Sequence, residues 1–180
     1  MKTRPSWNGG FTLVELLTVI AIIAILVGLL LPALMRAKVQ ARVAQASTEL
    51  NELASAIRLY NTEYGTWPTK EAGFKMDSNL VSILRGDVST NNPRGIKFFN
   101  FDSKRLKNGE FVDPFYKADG KDYVYKVAFD DDYDGQTIIP AGTPPFAAAA
   151  GAITQSMGVV LWMNTNSSVP LTNQIARTWK

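Results

Sequence analysis

The sequence predicts an α+β fold: a long N-terminal α-helix, transmembrane in its first half, packed on a small antiparallel β-sheet head. Three observations carry this expectation. Leu16 to Met35 is a run of 20 residues without a charge. Arg36 to Tyr64 contains no Gly or Pro and repeats apolar residues at helical spacing. Beyond Gly65 the chain turns to β-rich runs broken by Pro, Gly and Asp.

The uncharged run decides most. At about 1.5 Å per residue it makes roughly 30 Å of helix, the thickness of a bilayer's hydrocarbon. Its one weakly polar side chain is Thr18. Glu15 sits just inside the apolar stretch that begins at Phe11. An ionisable group there is costly without a partner, so it is a functional candidate. A secretory signal would place small residues after the apolar core. Here Leu31-Pro32-Ala33-Leu34-Met35-Arg36-Ala37 is a poor match, and the small pair Gly9-Gly10 lies before the core. An ordinary anchor explains the length of the run, but neither the acid nor the diglycine.

Gly10-Phe11-Thr12-Leu13-Val14-Glu15-Leu16-Leu17 resembles the type IV prepilin leader family. The resemblance implies cleavage after Gly10 by a membrane peptidase and methylation of the new amine of Phe11. It divides the chain into a leader (1–10), a transmembrane and filament-core helix (11–35), an amphipathic extension (36–64) and a globular extracytoplasmic head (65–180). It also implies that Glu15 pairs with the Phe11 amine of a neighbouring subunit. Such a pair offsets the burial of both charges and sets the register between subunits. The alternative is an acid at headgroup level on a plain anchor. Pro32 removes one backbone hydrogen bond and loosens or kinks a helix; the resemblance adds local melting near Pro32 on assembly.

Charge and composition remove several classes. Lys and Arg number 19 against 16 acids. Loss of Lys2 and Arg4 with the leader leaves 17 against 16, a net charge of +1, which gives little support for nucleic-acid binding. The chain has no Cys and no His. That excludes disulfides, Cys nucleophiles, His bases and thiol or imidazole zinc sites. Serine-hydrolase and phosphate-loop motifs are absent too, so no enzymatic role is expected.

Val39, Val43, Ala46, Leu50, Leu53, Ile57, Tyr60 and Tyr64 form one stripe, with Arg42, Gln45, Glu49, Glu52 and Arg58 mostly elsewhere. The stripe packs on the head from Leu50 to Tyr64; for Val39 to Ala46 a contact between subunits is equally open. Gly65 ends the helix and Pro68 prevents its resumption. Leu80 to Leu84 predict a short helix before Gly86, and Ile96 to Phe101 a short strand or packed loop. Asp122 to Phe129 and Met157 to Met163 predict strands. Pro140 to Gly151 predicts an aperiodic loop.

The head carries one chemical signal. Asp130, Asp132 and Asp134 alternate before Gly135, a pattern that converges oxygens on a hard cation such as calcium. The pattern matches the first half of an EF-hand loop, but Ala141 stands where a bidentate Glu belongs. A solvated acidic turn is the other reading, since Asp-Gly is a common turn pair.

Asp113-Pro114-Phe115, Tyr123-Val124-Tyr125 and Ile175 to Trp179 resemble one branch of the family, the major pseudopilin of type II secretion. That branch binds calcium near its C-terminus, where Asn164 to Ser168 here offers no carboxylate. The resemblance implies a pseudopilus subunit in the bacterial inner membrane, single-pass, with its head in the periplasm. Implied partners are copies of itself in a helical filament, the prepilin peptidase, minor pseudopilins, the inner-membrane assembly platform, and membrane lipid before assembly. The alternatives are a type IV pilin for adhesion, motility or DNA uptake, and a membrane-anchored calcium-binding module that never polymerises.

Overall fold

The computed structural model of the chain describes residues 11–69, 75–119, 121–139 and 153–163. The leader with Gly10, the 140–151 loop, Ala141, the 164–168 segment and the 175–179 motif lie outside the described residues. Contacts divide the chain into two units, Met1–Val39 and Gln40–Lys180.

Helix α1 runs from Leu13 to Tyr64, 52 residues. It passes through Pro32 as uninterrupted α-helix. In the first unit the large apolar side chains from Phe11 to Met35 are exposed, and Thr18 returns its hydroxyl to Val14 O at 2.9 Å. The helix has the length and apolarity to cross a membrane.

In the second unit α1 changes pattern. Ala46, Leu50, Leu53, Ala54, Ile57 and Tyr60 are buried, at spacings of three and four. They share one core with Leu80, Val81, Ile83 and Leu84 of α2 (Ser78–Arg85). Gly65 ends α1 at φ +69°. Asp77 starts α2 by accepting Leu80 N at 2.8 Å. Gly86 ends α2 in the left-handed region at φ 95°, and a Cβ there would meet Gly95 O at 3.0 Å. Both demands select glycine.

The strands are short: β1 (Leu106–Lys107), β2 (Glu110–Phe111), β3 (Lys126–Phe129), β4 (Thr137–Ile139), β5 (Ile153–Gln155) and β6 (Val159–Trp162). Among the described residues they form three two-stranded antiparallel ladders, β1–β2, β3–β6 and β4–β5, where the sequence predicts one small sheet. The β3–β6 register pairs Lys126 with Trp162 and Phe129 with Val159. The expected strand from Asp122 begins only at Lys126. Its first half bonds to two different segments: Tyr125 N donates to Phe111 O, and Tyr125 O accepts from Met76 N. Val124 makes a single bridge to Val112. Ile96 to Phe101 is loop, with Phe98 N and Phe99 N both donating to Leu84 O; Phe99 and Phe101 pack edge-on to Phe111.

Two polar clusters hold the head, and the sequence reading missed both. The sequence places Glu49 off the buried stripe. It is instead largely enclosed, and its carboxylate takes both Nη atoms of Arg105 at 2.9 and 3.0 Å. Tyr125 OH donates to the same carboxylate at 2.5 Å. Burial alone would lower the Arg105 pKa, but the Glu49 pair raises it. Asn92 is fully buried: its amide donates to Ile83 O and Ile96 O, and its Oδ1 accepts from Ile96 N and Tyr64 OH. Every polar atom of that side chain is matched, which lets it sit in a core.

Leu53→Ala is expected to lower the unfolding free energy of the full chain in detergent by about 2–5 kcal/mol. Leu59→Ala, at a side chain 60% exposed, should change it by no more than about 0.5 kcal/mol. Equal losses for the two variants in denaturant titration would contradict the docked face of α1.

Candidate functional site

The N-terminus of α1 is a closed ring of bonds. Thr12 N donates to Glu15 Oε2 at 2.9 Å, and the Thr12 hydroxyl donates to the same oxygen at 2.7 Å. Glu15 N donates back to Thr12 Oγ1 at 3.2 Å. This is a capping box, readable in Thr-x-x-Glu just before an apolar run. The sequence reading pairs Glu15 with the Phe11 amine and misses Thr12. Phe11, beside this ring, is 79% exposed. Pro32 has no N–H, so the Gly28 carbonyl four residues earlier loses its helical donor. Gly and Pro, the two poorest helix formers, thus share one turn.

In the head, the carboxylates of Asp130, Asp132 and Asp134 lie within 4.8 Å of one another. Asp130 is 4% exposed. Its Oδ1 accepts from Asp134 N at 3.1 Å and its Oδ2 from Gly135 N at 2.9 Å, which coils the loop around it. Asp134 accepts Gln136 N at 2.7 Å. Tyr133 and Gly135 both take positive φ, 59° and 85°. The Asp131 carboxyl is pushed up by burial and by the charges of Asp130 and Asp132. The three carboxylates and the turn offer hard oxygen donors of the kind a calcium ion takes, and Asp130, Asp132 and Asp134 are the residues that would hold it. Strands β3 and β4 flank the loop, so it is not a helix–loop–helix site.

Trp67, part of the helix exit, closes over this loop. Its indole N–H donates to Asp130 O at 2.5 Å, and its ring stacks on Phe129 and Tyr133 with centroids 5.6 and 6.1 Å apart. A Cβ on Gly158 would come within 3.2 Å of that ring. The only sequence signal for this role is the Trp67-Pro68 pair just after Gly65.

Asp113 of the Asp-Pro-Phe motif is 1% exposed. It accepts Phe115 N at 2.7 Å. Burial pushes its carboxyl up to about 7, against the Phe115 amide and Arg105. Phe115 in turn lies under Arg42, 5.7 Å from guanidinium to ring centre.

A long apolar N-terminal helix carried into a small α+β head is the layout of the pilin-like proteins. The prokaryotic N-terminal methylation motif matches residues 8–31. The type II secretion system core protein G of Aeromonas hydrophila is 30% identical over 114 residues, 63% of this chain and 73% of that protein. The chain belongs to the type II secretion system core protein G family. The Pseudomonas aeruginosa protein of the same description is 32% identical over 68 residues, and that match spans 38% of this chain and about half, 48%, of the relative. The type IV major pilin protein PilE of Neisseria gonorrhoeae is 34% identical over 85 residues, 46% of this chain and 51% of that pilin. No solved structure matches the chain.

Asp113 binds a proton in the folded state up to about pH 7 and releases it near 4 when unfolded. Between these values the native state holds more protons, so stability falls as pH rises, by at most about 4 kcal/mol. Asp113→Asn keeps an acceptor for Phe115 N and is expected to flatten this fall. Parallel stability–pH curves for parent and variant would contradict it.

Proposed function

We propose that the protein is a structural subunit of a type II secretion pseudopilus. It is cut after Gly10, methylated at Phe11, and held in the bacterial inner membrane with its head in the periplasm. It then polymerises through α1 into a helical filament that drives protein export across the outer membrane. Its work is mechanical, with no catalytic group assigned. The observation that carries this reading is the exposed apolar surface of α1 from Leu16 to Met35, on every side of the helix, with one carboxylate fixed just before it. A helix apolar all round calls for lipid or other helices about it. On assembly Glu15 exchanges Thr12 for the Phe11 amine of a neighbour, and the weak turn at Gly28 and Pro32 yields. The prepilin peptidase, the minor pseudopilins, the assembly platform and lipid are its partners in this reading; nucleic acid is not. The gonococcal pilin match favours a second reading, a type IV pilin.

Glu15→Ala is expected to abolish fibres while the protein stays in the membrane, with intact mass still showing a chain that begins at methylated Phe11. Unchanged fibre yield by electron microscopy would overturn the pairing role of Glu15. A non-polymerising calcium module would form no fibres in the parent either.

We assign calcium to Asp130, Asp132 and Asp134. Calcium should raise the melting temperature of the full chain by several degrees, and Asp132→Ala with Asp134→Ala should remove the gain. A parent whose melting is the same in calcium and in chelator would refute the assignment.

A further inference from the structure

The charges of the head separate to the two ends of one strand. Lys75, Lys107, Lys117 and Lys121 are all exposed and line one cavity of about 320 Å³ beside the β1–β2 hairpin. Tyr116 and Tyr123 line it too, and Lys107 Nζ lies 5.7 Å from the Tyr116 ring centre. Two acids share the lining, Glu110 and Asp122. Asp122 is already engaged by Lys126 and by Lys75 at 3.5 Å. Asp119 stands close by, accepting Lys121 N and the Tyr123 hydroxyl. Four lysines against these three acids leave the region positive.

The acidic loop lies at the far end of β3. Val124 bridges Val112 in the cavity lining, β3 runs from Lys126 to Phe129, and Asp130 opens the loop. Six residues of extended chain span about 20 Å. Asp131 is exposed and stands outside the Asp130–Asp132–Asp134 group. The loop carries four aspartates, so a doubly charged cation on that group still leaves a net charge of −2, and metal binding and an outward negative charge are compatible.

We propose that the lysine cavity of one copy of this chain receives the 130–134 loop of a second copy, with Asp131 as the leading charge. The contact rests on the subunit reading above and adds a head-to-head interaction to it. Because the two patches are different surfaces, the contact is head-to-tail, the kind that propagates into an open helical array when it does not close into a ring. Charge complementarity of this sort fixes register and partner choice more than raw affinity.

The chain has no Cys, so Ala118→Cys with Gln136→Cys in the full chain introduces the only two thiols and keeps the lysines and aspartates of both patches. They sit at opposite ends of β3, beyond the Cα separation of about 7 Å that an intrachain disulfide tolerates. Mild oxidation in membranes is expected to give a ladder of multimers on a non-reducing gel, whereas each single-Cys chain stops at a dimer. Lys117→Glu on the double-Cys chain should lower the ladder severalfold. A ladder undiminished by Lys117→Glu overturns the proposal. Fibres that depend on Glu15 but give no ladder overturn it and leave the subunit reading standing. A ladder without fibres supports the contact and removes the filament. Binding of inorganic phosphate or anionic vesicles in the cavity, with no ladder, assigns it another occupant and overturns the contact between copies.

Discussion

One backbone, α1, has to satisfy two surroundings, and its change of apolar pattern governs what the rest of the chain can be. From Leu16 to Met35 the side chains are uncharged, and apolar but for Thr18, on every side of the helix. From Ala46 to Tyr60 they return every three or four residues. The first pattern has no wet face and needs an apolar medium; the second needs one wall and leaves the other faces to water. The wall comes from α2, the Phe98–Phe101 loop, the hairpin and the β3–β6 ladder. Even Glu49 obeys the pattern. It lies four residues before Leu53 at the edge of the stripe, near enough to the wall to take Arg105 and Tyr125.

A head without a disulfide has to be fixed by other means. Its ladders are two strands wide, and pairs of that size are marginal alone. The three ladders are therefore tied by side chains. Arg105 clamps α1 through Glu49 and reaches Val112 O at 2.9 Å through Nε. Asn92 closes the loop after α2 onto the end of that helix. Trp67 joins the exit of α1 to the loop after β3. A buried charge pair adds little over an apolar one of the same shape, but losing one partner is costly. Such pairs act as locators: they permit one docking of α1 and penalise the rest.

Much of this was legible from residues alone. The apolar run, the stripe, the stops at Gly65 and Gly86 and the strand at β6 each follow from a period or a single permissive residue. The missed features share a physical reason. Arg105 lies 56 residues from Glu49 and Trp67 lies 63 from Asp130, separations at which no local period links the partners. The β1–β2 hairpin is only two residues per strand, too short to show alternation. Its turn at Asn108-Gly109, both at positive φ, was the available clue. Strand β4, Thr137 to Ile139, is three residues long, again too short for alternation to mark it. At the acidic loop the alternation of Asp130, Asp132 and Asp134 is local, and the three carboxylates lie within 4.8 Å of one another. The burial of Asp130 among backbone amides was not foreseeable, because it depends on Gly158 and Trp67 arriving from elsewhere.

The ring between Thr12 and Glu15 has a consequence for recognition. A glutamate free to rotate would have to freeze its torsions when it meets a counter-ion, which weakens the encounter. Here that ordering is complete before any second molecule arrives, because the carboxylate is already immobilised by its own helix. The negative charge is thus presented at a preset place and angle, held by the amide and the hydroxyl of Thr12.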